Sequence, residues 1–119
     1  MTSSVAPTPF INIQVSVKPG LKPGQYIVNC DPAAPAITQP DTVINYQLVD
    51  TDGLNIVFKT FTVKQENNQL SPPSVSTDGL LMTFNDINTE KMTLNINLKF
   101  KDKDGVEFSH DPQIENEPQ

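Results

Sequence analysis

The sequence predicts an all-β fold, an immunoglobulin-like antiparallel β-sandwich of about seven to eight strands. Three observations carry the prediction. Apolar residues recur with a period of two through most of the chain, turn signals separate the runs, and no stretch holds the 3.6-residue period of an amphipathic helix. The length, 119 residues, suits one domain able to bury a core without disulfides or metal. Residues 1–9, rich in Ser, Thr, Pro and Ala, read as a flexible N-terminal tail, and residues 10–119 as a single sandwich domain.

The first strand starts at Phe10, where Ile11, Ile13, Val15 and Val17 alternate with polar residues, and Pro19-Gly20 stops it. Tyr26, Val28 and Cys30 form the inward phase of a second strand that ends at Asp31-Pro32. The stretch from Asp31 to Pro40 is rich in Pro and Ala and reads as a loop or an extended edge segment, because proline cannot donate to a ladder. Ile44, Tyr46 and Leu48 mark a third strand. A fourth runs from about Asn55 to Val63, but its phase slips between Phe58 and Phe61. A β-bulge near Lys59-Thr60 brings Ile56, Phe58, Phe61 and Val63 to one side. Pro72-Pro73 makes the next segment irregular, with Val75 in a short edge strand. Leu80, Met82 and Phe84 alternate in another strand, and Asp86 to Lys91 reads as a turn or a single helical turn. Met92, Leu94, Ile96, Leu98 and Phe100 give the clearest strand of all. The last strand opens at Val106 and Phe108 and fades at Asp111-Pro112.

The turns show a regularity. Asp52-Gly53, Asp78-Gly79 and Asp104-Gly105 are evenly spaced, and the first two lie in identical Thr-Asp-Gly-Leu runs. Asp-Gly is a favoured hairpin turn, and the spacing puts all three at one end of a sandwich.

Composition excludes several function classes. Net charge is -6, and all eight basic residues are Lys. Phosphate binding needs clustered cations, so neither nucleic acid nor an anionic membrane surface is an expected partner. There is no Walker loop and no G-x-G-x-x-G among the five glycines. The one Cys and one His cannot form a zinc site. Cys30 sits in phase with core residues. His110 and Asp111 are strand neighbours on opposite faces, unsuited to a catalytic pair. The expectation is therefore no catalytic residues, no metal site, no cofactor and no enzyme activity. The N-terminus has no basic-then-apolar leader pattern and no run is long enough to span a bilayer, which predicts a cytoplasmic protein.

The closing residues carry the most specific pattern. Asp111, Pro112, Gln113 and Ile114, followed by Glu117 and Pro118, form a possible interaction segment with Ile114 as its apolar anchor, or else a final edge strand whose proline blunts pairing. These Asp-Pro and Glu-Pro elements resemble the signature of the DP-EP family. The resemblance implies a small bacterial all-β protein without an assigned biochemical activity.

Two functional expectations follow. The first is a non-catalytic binding or self-assembly module with an unknown protein partner or a second copy of itself. The alternative is a calcium- or small-ligand-binding domain built on the acidic turns, with Asp50, Asp52, Asp102 and Asp104 converging on an ion.

Overall fold

The computed structural model describes residues 7–119, so the first six residues of the expected tail lie outside it. Ten strands follow one another: β1 (Phe10–Pro19), β2 (Tyr26–Asp31), β3 (Ala36–Ile37), β4 (Thr42–Asp50), β5 (Val57–Val63), β6 (Ser74–Val75), β7 (Leu81–Asp86), β8 (Met92–Lys101), β9 (Glu107–His110) and β10 (Gln113–Asn116). One sheet has the order β2-β1-β4-β7-β6. The other runs β3-β10-β8-β5, with β9 also paired to β8. The result is a two-sheet sandwich with no helix among the described residues. No helix there is long and apolar enough to cross a membrane.

Period-two alternation decides which residues meet between the sheets. β1 contributes Ile13, Val15 and Val17, all fully buried, while Asn12, Gln14 and Lys18 face water. β8 buries Leu94, Ile96, Leu98 and Phe100 in strict alternation. The Tyr46, Phe84 and Phe61 rings stack in sequence, with centroids 6.0 and 4.6 Å apart. Such offset stacking adds to the gain from area buried.

The expected bulge in the fourth strand is present. Phe58 pairs with Phe100 and Thr60 with Lys99, so Lys59 is the extra residue and swings into solvent. That skip keeps Phe58, Phe61 and Val63 against the core despite the phase slip. Val75 lies in the short edge strand β6, and the Pro-rich stretch supplies the two-residue edge strand β3.

Two pairings depart from the antiparallel expectation. β1 runs parallel to β4, with Ile11 opposite Ile44 and Ile13 opposite Tyr46, and β3 runs parallel to β10. The remaining pairings are antiparallel. The chain leaves the first sheet after β2, crosses to the second sheet as β3, and returns as β4 in the direction of β1. The β1–β2 hairpin reverses the chain once, and the excursion through β3 reverses it again, so β4 can lie beside β1 in the same direction, as a single hairpin could not allow.

The three Asp-Gly turns do share one end. Leu48 N–H donates to Leu80 O and Phe58 N–H to Gly79 O, which draws the first two turns together. Val57 pairs with Lys101 and brings the third beside them. The opposite end is formed by the start of β4, the end of β7 and the end of β10.

Candidate functional site

The Asp-Pro and Glu-Pro segment is built into the second sheet. β9 and β10 keep one register along β8: His110 faces Leu98, Gln113 faces Asn95 and Asn116 faces Met92. They are one line of chain interrupted at Asp111-Pro112. Pro112 has no N–H to offer, although its carbonyl still accepts from Ile96 N–H at 2.9 Å. The far side of β10 is covered as well. Glu115 N–H donates to Pro35 O and Glu117 N–H to Ile37 O, so Glu-Pro closes the strand against β3. β10 therefore has a neighbour on each side and is not an edge.

Its side chains divide by face. Pro112 and Ile114 are buried. Asp111 accepts from Asn97 Nδ2, Gln113 Nε2 donates to Asn95 Oδ1, and Thr93 Oγ1 donates to Glu115 Oε2. This polar ladder faces outward. Asp111 also borders a shallow groove of about 420 Å³ with Lys64, Asn95 and Asn97. Pro118 is half-buried and Glu117 exposed.

The acidic turns use their carboxylates locally. Asp50 Oδ1 accepts Asp52 N–H, and Asp78 Oδ1 accepts Leu80 N–H. Asp102 Oδ1 accepts the N–H groups of Asp104 and Val106, while its Oδ2 accepts the Tyr26 hydroxyl at 2.8 Å. The Tyr26 hydrogen bond, first, and the turn N–H groups hold the Asp102 carboxyl below its usual range. Among the described residues no three His, Cys, Asp or Glu side chains gather into one group that could hold a metal ion, at these turns or elsewhere.

Cys30 is buried, and burial pushes its thiol up to about 11, away from nucleophilic use. Burial lowers the pKa of half-buried His110, with Asp111 opposing the shift.

Sheet edges form a second feature. β3 and β6 are two residues long and follow Pro35 and Pro72-Pro73. β5 is bulged at Lys59, which is paired to Glu107 at 2.7 Å. β9 spans four residues and runs into Asp-Pro. Shortness, bulges, lysine and proline are the usual devices that stop an edge from pairing. β2 has none of them between Tyr26 and Cys30. Gly20 N–H donates to Gln25 O, so by alternation Tyr26, Val28 and Cys30 direct their N–H and C=O groups away from β1. Beside this edge Leu21 is fully exposed and Ile27 is 60 % exposed. They rim a cleft of about 480 Å³ with Tyr26 and Phe108, whose rings stack at 4.4 Å.

A third feature escaped the sequence reading. At the end opposite the Asp-Gly turns, Gln69, Asp86, Asn88 and Asn116 are buried side by side. Asn116 Nδ2 donates to Asp86 Oδ1 at 3.0 Å and to Gln69 Oε1 at 3.3 Å. Asn88 N–H donates to Asp86 Oδ1 at 3.0 Å, and Asn88 Nδ2 donates to the carbonyls of Ile37 and Gln39. Three oxygens in this group accept nothing: Asp86 Oδ2, Asn88 Oδ1 and Asn116 Oδ1. Each buried acceptor left so costs about 1–3 kcal/mol. Burial raises the Asp86 pKa, and the hydrogen bonds from Asn116 and Asn88 oppose it. Period two was the available signal. Asp86 and Asn88 continue the inward phase of Met82 and Phe84, and Asn116 continues that of Pro112 and Ile114.

The DP-EP family model matches residues 9–118, from the residue before β1 to the proline of the Glu-Pro element. No curated protein matches the chain. With the match spanning both sheets and both signature elements, the chain belongs to the DP-EP family.

Proposed function

We propose that the chain is a non-catalytic assembly module in which two copies pair antiparallel along β2. The unblunted β2 edge carries this reading, since the other edges are short, bulged or broken by proline. Two-fold pairing is the commonest symmetry for identical chains and needs only one self-complementary strand. Leu21 and Ile27 supply apolar surface flanking the paired backbones. A six-residue strand is roughly 20 Å long, so the association is weak and concentration-dependent.

Sedimentation equilibrium from micromolar to millimolar protein tests it. A monomer–dimer transition is expected, accompanied by slowed hydrogen exchange at the Tyr26, Val28 and Cys30 amides. Ile27→Lys should keep the chain monomeric. A wild-type monomer throughout, with those amides unprotected, rejects self-assembly and shifts the β2 edge to a strand from another protein.

A further inference from the structure

We propose that the buried group of Asp86, Asn88 and Asn116 binds a calcium ion, at the end of the sandwich remote from the acidic turns. The first support is a one-sided imbalance. Every side-chain amide N–H donor of Asn88 and Asn116 points at an acceptor, and all three unpartnered atoms are oxygens.

Turning the amides over does not cure this. A reversed Asn88 would set its oxygen against the carbonyls of Ile37 and Gln39. A reversed Asn116 would set its oxygen against Gln69 Oε1 and Asp86 Oδ1. Gln69 Oε1 is itself fixed, since it accepts the N–H groups of Thr89 and Glu90. A proton on Asp86 supplies one donor for three oxygens. A cation set between them would take a lone pair from each.

The donor set selects its class. One carboxylate and two amide oxygens, with no nitrogen or sulfur, suit a hard cation. Calcium tolerates irregular oxygen shells completed by carbonyls and water, whereas magnesium demands a near-ideal octahedron and dehydrates reluctantly. Asp86, Asn88 and Asn116 are at most 2 % exposed, so the ligands are held by the fold. A small groove of about 70 Å³ lies nearby, bordered by Pro9, Thr42 and the same Ile37 and Gln39 whose carbonyls accept from Asn88 Nδ2. A single carboxylate sets a modest affinity, in the range of about 0.1–1 mM.

The test is a melting curve of the full chain in chelator, then with millimolar calcium chloride, or with magnesium chloride at equal ionic strength. At about ten times the dissociation constant, calcium should raise the midpoint by about 6 °C. Magnesium should do less. The shift should vanish in Asp86→Asn and persist in the paired variant Asp52→Asn with Asp104→Asn. Should Asp86→Asn fail to fold, wild-type NMR decides: calcium must move the side-chain amide resonances of Asn88 and Asn116. No shift with calcium, an equal shift with magnesium, or resonance changes confined to the Asp-Gly turns overturns the site. The self-assembly reading stands apart, because the β2 edge is probed by mass and this site by melting.

Discussion

The Tyr26 hydroxyl donates to Asp102 Oδ2 at 2.8 Å across a separation of 76 residues, tying the start of β2 to the turn between β8 and β9. The same tyrosine ring stacks on Phe108. The bond joins the outer strand of one sheet to the turn of the other, so it works as a clasp on the side of the sandwich that carries the β2 edge.

Tyr26→Phe keeps the stacking and removes the bond. Because Asp102 titrates below its usual range in the folded chain, its stabilising effect is full above the ordinary carboxylate pKa of about 3.9 and is lost as pH falls through the lowered value. The variant should therefore melt below wild type at neutral pH, and the two should converge as pH falls through that lowered value. Urea midpoints across a pH series check this.

Two of the Asp-Gly turns should respond very differently to one substitution. A Cβ at Gly79 would lie 2.6 Å from Val57 Cβ, on a backbone with φ +77, whereas at Gly105, with φ +80, nothing lies within 4 Å. Gly105→Ala should cost about 1–2 kcal/mol, from left-handed backbone strain alone. Gly79→Ala adds overpacking and should cost about 2–5 kcal/mol. Chemical denaturation of both variants measures the gap.

Tyr46 is fully buried and its hydroxyl has no partner. Burial, with Cys30 nearby, drives its pKa far upward, so the group stays neutral. Tyr46→Phe removes an orphaned polar atom and keeps the ring against Phe84. It should stabilise the domain by about 1 kcal/mol in equilibrium unfolding.

Asp86 gives the opposite pH signature to Asp102. Burial raises its folded pKa, so the stability it contributes is full below the ordinary carboxylate range and is lost as pH rises through the raised value. In chelator, wild type should weaken along that limb. Asp86→Asn should lack the limb and match or exceed wild type at pH 7 by about 1 kcal/mol. Guanidinium titrations from acid to neutral pH show the two slopes.

Alternation made the strands and their faces legible. The β8 run from Met92 to Phe100 and the bulge at Lys59 could be placed from the residues alone, because period two is a local property. Pairing partners are not local. Nothing in Ile11 or Ile13 states that they lie beside Ile44 and Tyr46 in the same direction. The Asp-Pro and Glu-Pro residues were recognisable as a signature, but the place of β10 between β3 and β8 depends on a crossover elsewhere in the chain. The buried polar group was hidden for another reason. Gln69, the pair Asp86 and Asn88, and Asn116 come from three separate stretches, and polar residues after a strand ordinarily signal a wet turn.

The central position of β10 bears on how the domain assembles. Until residues 113–116 dock, β8 and β3 each present an unsatisfied edge, and the core lacks Ile114. A chain stopped short of Gln113 is therefore an aggregation-prone species rather than a smaller stable domain. Folding waits on contacts distant in sequence, which places it among the slow, all-β folders. The Asp-Pro and Glu-Pro elements bracket the strand whose docking ends that exposure.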